Sequence, residues 1–130
     1  MIQIDPKSTE IKIIQEYLLS VVGPRPIALA STIDNNGIPN LSPFSFFNVF
    51  SGNPPILVFS PARRIRNNTE KDTLKNVQEN SEVVINIVTE QIQDKMVLSS
   101  LDYASDVDEF LKSGFTHEKS KLIKPFRVKE

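Results

Sequence analysis

A short segment in the first half of the chain brings aromatic rings and small polar groups together. Residues 41–48 read Leu-Ser-Pro-Phe-Ser-Phe-Phe-Asn, and a Gly-Asn-Pro-Pro turn at 52–55 leads into the apolar run 56–59. An aromatic surface with hydroxyl groups beside it suits a flat ligand that carries polar groups at its edges. This segment is therefore the first candidate for a binding site.

The alternation within this segment predicts two faces with different roles. On an extended strand, Phe44 and Phe46 share one face, whereas Ser45 and Phe47 share the other. One aromatic face then packs in the core while the opposite face lines a cleft. A second interpretation stays open, in which all three rings belong to the core, as most buried aromatic side chains do.

A second group of candidate residues is basic and leads into a predicted helix. The polar loop 61–72 contains four cations, namely Arg63, Arg64, Arg66 and Lys71. Helix N-terminal amides, a hydroxyl and nearby cations together form a phosphate site. Asp72 opposes this interpretation unless its carboxylate caps the helix or pairs with Arg66 or Lys71. The alternative is a solvated loop whose charges only keep it soluble.

Two further features are interpreted as surface features. His117 has no carboxylate or hydroxyl neighbour at catalytic spacing, so we expect it at the surface. The acidic group lacks the glycine-bearing loop and ligand spacing of a calcium site, which favours a solvated face; it consists of Asp102, Asp106, Asp108 and Glu109. The chain has neither a Gly-x-Gly-x-x-Gly motif nor a P-loop, which argues against Rossmann and Walker nucleotide sites.

Composition narrows the functional classes. At 130 residues the chain predicts one domain, 1–130, and its net charge of −1 gives no general attraction to nucleic acid or anionic lipid. The absence of cysteine removes thiolate chemistry, and a single histidine excludes an imidazole-rich metal site. The N-terminus does not resemble a signal peptide, and no apolar run reaches the ~20 residues that span a bilayer. We therefore expect a cytoplasmic protein without a membrane or nucleic-acid partner.

Hydrophobic periodicity predicts four strands and a first helix. Apolar residues at helical spacing predict a helix at 10–22 that ends before Gly23-Pro24. Asn36-Gly37 predicts a hairpin between the first two strands, and Pro39 and Pro43 predict that the second is irregular, bulged or at an edge. The predicted strands are 27–33, 38–48, 56–60 and 82–89, of which the third is apolar enough to be buried.

The second half of the chain is predicted to contain three helices. The first begins near Asp72 or Thr73, either of which could cap it, with Leu74 and Val77 toward the core. A second helix covers 90–100. A short third helix runs from an Asp106 cap through Lys112 and stops at Gly114, and residues 115–130 are extended without a strong element.

Several of these segments, taken in order, resemble a known family. The resemblance runs from about residue 14 to the end and rests on Arg25–Thr32, Asn40–Asn48, Asn53-Pro54-Pro55, Phe59-Ser60-Pro61, Lys71–Asn76, Glu82–Val88 and Val107–Phe110 with Gly114. In these segments the chain resembles the flavin reductase-like FMN-binding split-barrel family. The resemblance implies a mainly β fold with flanking helices (α+β), a six-stranded antiparallel barrel, and a homodimer that binds FMN non-covalently near the subunit interface.

The resemblance also implies cofactor-binding residues and no catalytic side chain. Ser45, Phe46, Phe47 and Asn48 would line the isoalloxazine and ribityl chain, Ser31 and Ser60 would lie close to the cofactor, and Lys71, Thr73 and Arg66 would hold the phosphate. The flavin itself would perform hydride and electron transfer. The implied activity is NAD(P)H oxidation with electrons passed to free flavin or a partner. Two alternatives are an FMN-binding electron carrier without NAD(P)H activity and a non-catalytic split-barrel module.

One departure from the family pattern concerns the C-terminus. Family members continue past a segment like 124–130 into further barrel strands, whereas this sequence stops there. Four predicted strands would form an open barrel with unpaired edges and an uncovered apolar face. We therefore expect a barrel that is incomplete at its C-terminus, needs a second chain to cover it, and binds flavin poorly or not at all.

Overall fold

A computed structural model describes residues 3–64 and 67–130 of the chain, and it mixes antiparallel sheets with flanking helices. The helices are α1 (Ile11–Val21), α2 (Asp72–Asn80), α3 (Gln93–Leu98, preceded by a 3-10 turn at Glu90–Ile92) and α4 (Glu109–Ser113). The strands are β1 (Ala28–Ile33), β2 (Pro39–Phe44), β3 (Phe47–Gly52), β4 (Pro55–Phe59), β5 (Val84–Ile87), β6 (His117–Glu118) and β7 (Arg127–Val128). No helix in the described residues is long and apolar enough to cross a bilayer.

Strand β1 is buried on both faces. It is the middle strand of an antiparallel sheet with the order β2-β1-β5, and residues 28–32 have no exposed surface. Successive side chains point to opposite faces of a strand, so β1 contributes to two separate hydrophobic clusters. Leu29 packs in a cluster with Leu41, Ile92, Phe110 and Phe115, whereas Ala28 and Ala30 pack with Phe44 and Phe47.

The predicted hairpin between β1 and β2 is confirmed. The register runs from Ala28 opposite Phe44 to Ile33 opposite Pro39. Asp34 Oδ1 accepts hydrogen bonds from the backbone amides of Asn36 (2.9 Å) and Ile38 (2.7 Å), and these bonds hold the turn closed. They also lower the pKa of the Asp34 carboxyl, the bond from Ile38 most of all.

The prediction of one continuous strand at 38–48 is wrong. The chain bends at 45–46, so β2 ends at Phe44 and β3 begins at Phe47 in a second sheet with β4. β2 lies at the edge of its sheet, so the absence of an amide hydrogen at Pro39 and Pro43 removes no hydrogen bond between strands. The bend places Phe44 and Phe47 in the same cluster, although strict alternation assigns them to opposite faces.

The prediction that strand 56–60 is buried is also wrong. β4 pairs only with β3 among the described residues, and the apolar side chains of Ile56, Leu57 and Val58 are exposed. A two-stranded ribbon has no third element to cover its faces, so sequence hydrophobicity alone does not bury it. Phe47 and Phe59, which lie opposite each other, attach the ribbon to the core.

Helix α2 packs on β1 through polar side chains. Its buried residues are Thr73 and Asn76, whereas Leu74 and Val77, which we predicted to face the core, are only half-buried. Asn76 Nδ2 donates to Thr32 Oγ1 at 3.0 Å inside the interface. Hydrophobic periodicity missed this orientation because the contact is made by hydrogen bonds.

The C-terminal residues form two short strands that sequence periodicity did not predict. β6 and β7 pair with each other, and Phe126 and Val128 pack against the Leu29 cluster. This packing leaves the side chain of His117 only 26% exposed, which corrects the predicted surface position. The imidazole lies between the rings of Phe110 and Phe126, and its Nε2 lies 3.1 Å from Asp108 Oδ2.

Helix α4 begins and ends with local signals, which give the first testable prediction. Asp108, rather than the predicted Asp106, is its N-cap, and Gly114 ends it with a φ of 78°. We expect Gly114→Ala to lower the free energy of unfolding by roughly 1–2 kcal/mol, because an L side chain is strained in left-handed backbone. Urea denaturation followed by circular dichroism measures this.

Gly52→Ala is the matched control, since a Cβ at Gly52 meets nothing within 4 Å and its φ is not positive. A loss of stability in the Gly52 variant as large as in the Gly114 variant would contradict the backbone explanation.

Candidate functional site

A cavity of about 400 Å³ lies where six parts of the chain meet. Its wall is formed by β2 with the bend that follows it, the loop after β4, the start of α2, and the segment that follows α3. Gln15 and Leu19 of α1 and Glu109 of α4 complete the lining. The cavity therefore draws on segments that are distant in sequence.

Five of the nine residues predicted to bind a cofactor line this cavity. They are Ser45, Phe46, Ser60, Lys71 and Thr73. Three others lie elsewhere, and Arg66 lies outside the described residues.

The bend after β2 accounts for the first of these placements. Ser45 and Phe46 leave the strand at the point where Phe44 and Phe47 turn into the core. The backbone amide of Ser60 donates to the carbonyl of Phe46 at 2.9 Å, so the end of β4 is fastened to the bend. The two predicted segments thereby meet in one wall.

The three predicted residues outside the cavity have clear local positions. Ser31 is fully buried in β1, and its Oγ has no hydrogen-bond partner. Phe47 belongs to the hydrophobic cluster that also contains Phe44, and Phe44 itself lines the cavity. Asn48 is exposed, and its Oδ1 accepts from the backbone amide of Val49 at 2.8 Å.

The start of α2 presents a cation and a hydroxyl to the cavity. Lys71, not Asp72 or Thr73 as predicted, is the N-cap residue, and no side chain caps the helix. Lys71 Nζ lies 5.0 Å from the centre of the Phe44 ring. Burial lowers the pKa of Lys71, and the nearby charge of Arg64 lowers it further. Thr73 is 1% exposed, so its hydroxyl is held in a fixed environment.

Arg64 organises the acidic groups around this helix start. It forms ion pairs with Asp72 (3.1 Å) and Asp102 (3.2 Å) and also donates to the carbonyl of Glu70. Among the described residues, Asp72 pairs with Arg64 and, at 3.7 Å, with Lys75. Of its two predicted partners, Lys71 is not one of these, and Arg66 lies outside the described residues. Because its carboxylate is engaged by Arg64 and Lys75, Asp72 does not cap the helix.

Glu109 is a residue of the site that the sequence analysis missed. We assigned it to a solvated acidic face, but its side chain lies in the wall between the first cavity and a second cavity of about 330 Å³. Glu109 Oε2 accepts from the backbone amide of Leu41 at 2.6 Å, on the edge strand β2. The only sequence signal was its position beside Phe110, one of the two buried residues of α4.

Burial also changes the titration of Glu109. Removal from water raises the pKa of the Glu109 carboxyl to about 7, and the negative charge of Asp72 adds to the effect. The hydrogen bond from Leu41 and the charges of Arg64 and Lys71 act in the opposite direction but do not cancel it. A carboxyl group that titrates near neutral pH therefore lies in the wall of the cavity.

Comparison with known proteins identifies related chains. The family described as flavin reductase like domain matches residues 23–130. An uncharacterised protein of Aquifex aeolicus is 44% identical over 124 residues, which are 95% of this chain and 63% of that protein. The chain thus spans about three fifths of this relative's length.

Two solved structures resemble this fold over nearly the whole chain. Nitrilotriacetate monooxygenase component B from Bacillus cereus superposes with a TM-score of 0.91 and 27% identity, covering 99% of this chain and 63% of that one. The 2-nitrobenzoate 2-nitroreductase of Pseudomonas fluorescens superposes with a TM-score of 0.78 and 33% identity, covering 99% and 60%. Together with the solved flavin reductase fold with a split-barrel domain from Shewanella frigidimarina, these likenesses confirm the predicted fold class.

The raised pKa of Glu109 predicts a pH-dependent stability. Since the folded-state pKa lies above the unfolded value of 4.5, the free energy of unfolding falls as pH rises from about 4.5 to about 7. We expect Glu109→Gln to remove this fall and to stabilise the protein by about 2 kcal/mol at mildly alkaline pH. Urea denaturation at acidic and alkaline pH measures both slopes.

Glu79→Gln on the exposed side of α2 is the control, and it should retain the wild-type slope. Equal pH dependence in the Glu109→Gln protein and the wild type would contradict the assignment.

Proposed function

Because the chain belongs to the flavin reductase-like domain family, we propose that it is an FMN-binding flavoprotein that oxidises NAD(P)H. It would pass the electrons to free flavin or to a partner. The observation that carries the proposal is the first cavity, in which an aromatic ring, hydroxyls and a helix start with a lysine converge on one space. The likeness to a monooxygenase component and to a nitroreductase supports electron transfer to a second molecule.

The residues of the cavity suit FMN in size and chemistry. A volume of about 400 Å³ lies in the range of small-molecule sites. Phe46 offers an apolar ring surface, and Ser45 and Ser60 offer hydroxyls for polar ring edges. At the other end, Lys71, Thr73 and the amides at the start of α2 suit a phosphate dianion. The pairing of Asp72 with Arg64 reduces the negative charge that would oppose it.

In this proposal the protein binds and orients the cofactor, and FMN when bound supplies the hydride and electron chemistry. Lys71 and Thr73 anchor the phosphate and so fix the position of the ring along the cavity. Phe46 packs against the ring and, with Leu19, excludes water from that part of the wall. Four further cofactor contacts stay predictions, namely those of Ser31, Phe47, Asn48 and Arg66.

We also propose a homodimer, with the flavin near the subunit interface. The exposed apolar side chains of the β3–β4 ribbon support it, and the largest is Phe50, which is 69% exposed. Contiguous exposed apolar surface of this kind is typical of a protein–protein contact. Light scattering that gives a monomer at micromolar concentration would contradict the dimer.

A cytoplasmic location stays a prediction.

Binding of FMN tests the proposal first. We expect saturable one-to-one quenching of flavin fluorescence, and weaker FMN binding by about tenfold or more in Lys71→Ala and Thr73→Val, because each loses a hydrogen bond to a charged phosphate. Riboflavin, which lacks the phosphate, should bind both variants as it binds the wild type.

Lys75→Ala is the matched control, because Lys75 lies one turn farther along α2 and lines only the second cavity. Equal losses of FMN affinity in the Lys75 and Lys71 variants would contradict the assignment of the phosphate site to the start of α2. No binding by the wild type would favour the non-catalytic module.

Reduction of the bound flavin separates the enzyme from the electron carrier. Under anaerobic conditions we expect NADH or NADPH to bleach the visible absorbance of the FMN complex, with dithionite as the control for full reduction. A complex that dithionite bleaches and neither pyridine nucleotide reduces would be an electron carrier without NAD(P)H activity.

A further inference from the structure

The side chain of Asn40 connects Glu109 to Thr73. One atom of the Asn40 amide lies 2.9 Å from Thr73 Oγ1, and the other lies 3.2 Å from Glu109 Oε2. Thr73 is buried and Glu109 is half-buried, so these contacts are largely sheltered from water. The three side chains form a continuous path of polar contacts along the wall of the first cavity.

The direction of these hydrogen bonds depends on the protonation of Glu109. An ionised carboxylate only accepts, so Asn40 Nδ2 must face it, and Oδ1 then accepts from the Thr73 hydroxyl. A protonated carboxyl donates to Oδ1, so the amide is reversed, and Nδ2 donates to Thr73 Oγ1. The Asn40 atom beside Thr73 also lies 3.3 Å from the backbone nitrogen of Leu41, which favours Oδ1 at that position unless a protonated Glu109 reverses the amide. Only the second arrangement leaves the Thr73 proton available to another acceptor.

We propose that Glu109 and Asn40 form a proton-dependent switch on Thr73, in which protonation of Glu109 frees the Thr73 hydroxyl to donate to a phosphate monoester in the first cavity. The inference rests on the proposed function, because it concerns the phosphate end of the same site. Glu109 and Asn40 act as positioning residues and leave the chemistry of the flavin unchanged.

The position of Glu109 between two cavities supports the switch. The second cavity gives its carboxyl a route for proton exchange that stays open when the first is filled. Burial raises the pKa of Glu109 to about 7, so both protonation states occur near neutral pH. A phosphate in the first cavity adds negative charge and favours the protonated form further.

The charged neighbours of Glu109 lie on every side except that of β2, which carries no titratable residue. The charged or titratable groups toward the first cavity are Arg63, Arg64, Lys71, Asp72, Asp102 and Tyr103, and those around the second are Asp34, Lys75 and Glu79. Helix α3, which packs on α4, carries Asp94 and Lys95, and Asp108 with its neighbour His117 and Lys112 lie on or beside α4 itself. Because burial lowers the pKa of Lys71, its deprotonation would also weaken phosphate binding as pH rises. A test must therefore separate Glu109 from Lys71.

Titration of the full chain with FMN and riboflavin at about pH 6 and about pH 8 tests the switch. If the bound form requires protonated Glu109, linkage predicts an FMN Kd about tenfold higher at the alkaline pH in the wild type. Riboflavin, without a phosphate, should show no such change. Calorimetry in two buffers of different ionisation enthalpy should show uptake of about half a proton on FMN binding near pH 7.

Glu109→Gln separates the two groups, since it keeps Lys71 and removes the titrating carboxyl. The oxygen of its amide accepts from Leu41 at every pH, as the ionised carboxylate does, so Asn40 keeps the orientation that occupies the Thr73 hydroxyl. We therefore expect an FMN Kd near the alkaline wild-type value that changes less than about twofold. Thr73→Val is the second variant, and it should bind FMN weakly without the pH dependence. Glu79→Gln should behave as the wild type, and circular dichroism at both pH values verifies folding.

The outcomes distinguish the switch from the proposed function. A wild-type FMN affinity that is constant between the two pH values overturns the switch and leaves the FMN site standing. A Glu109→Gln protein that loses affinity in parallel with the wild type overturns it as well, and assigns the dependence to Lys71. Failure of the wild type to bind FMN at either pH overturns the proposed function and the switch together.

Discussion

The two elements that carry the central residues of the first cavity, β2 and α2, are both attached to a strand whose two faces are buried. β1 can be covered on both sides because its side chains are small on one face and include Leu29 on the other. The edge strand β2 aligns with it in register, and α2 is fixed to it by the buried pair of Asn76 and Thr32. Close packing leaves little freedom for these elements, so the bend after β2 and the start of α2 are held at a constant separation.

The electrostatics of the site follow from this packing. Arg64 pairs with Asp72 and Asp102, so Lys71 and Thr73 remain directed at the cavity. The Glu109 side chain is held in the cavity wall by the edge of β2, because its carboxyl group accepts a hydrogen bond from the backbone amide of Leu41. Burial of this carboxyl opposes stability at neutral pH, and a cost of this kind is common where a titratable group has a functional role.

Local signals account for the elements that the sequence predicted correctly. Helix α1, strand β1, the Asn36-Gly37 hairpin and the Gly114 stop each depend on a few neighbouring residues. The errors concern features that depend on distant contacts. The strand predicted at 38–48 breaks because Phe44 and Phe47 both pack in one cluster. Strands β6 and β7 are stabilised by packing against the cluster of Leu29. Glu109 lies in the site because its carboxylate accepts a hydrogen bond from a backbone amide at the edge of β2. None of these partners can be read from the adjacent sequence, whereas the order of several motifs was enough to predict the family.

A crystal structure of the protein grown with FMN would locate the phosphate, on which the proposed function depends. We expect the phosphate within hydrogen-bonding distance of Thr73 Oγ1 and Lys71 Nζ at the start of α2, with the ring system beside Phe46. Flavin in the second cavity, or phosphate oxygens bound elsewhere with Thr73 still bonded only to Asn40, would contradict this expectation.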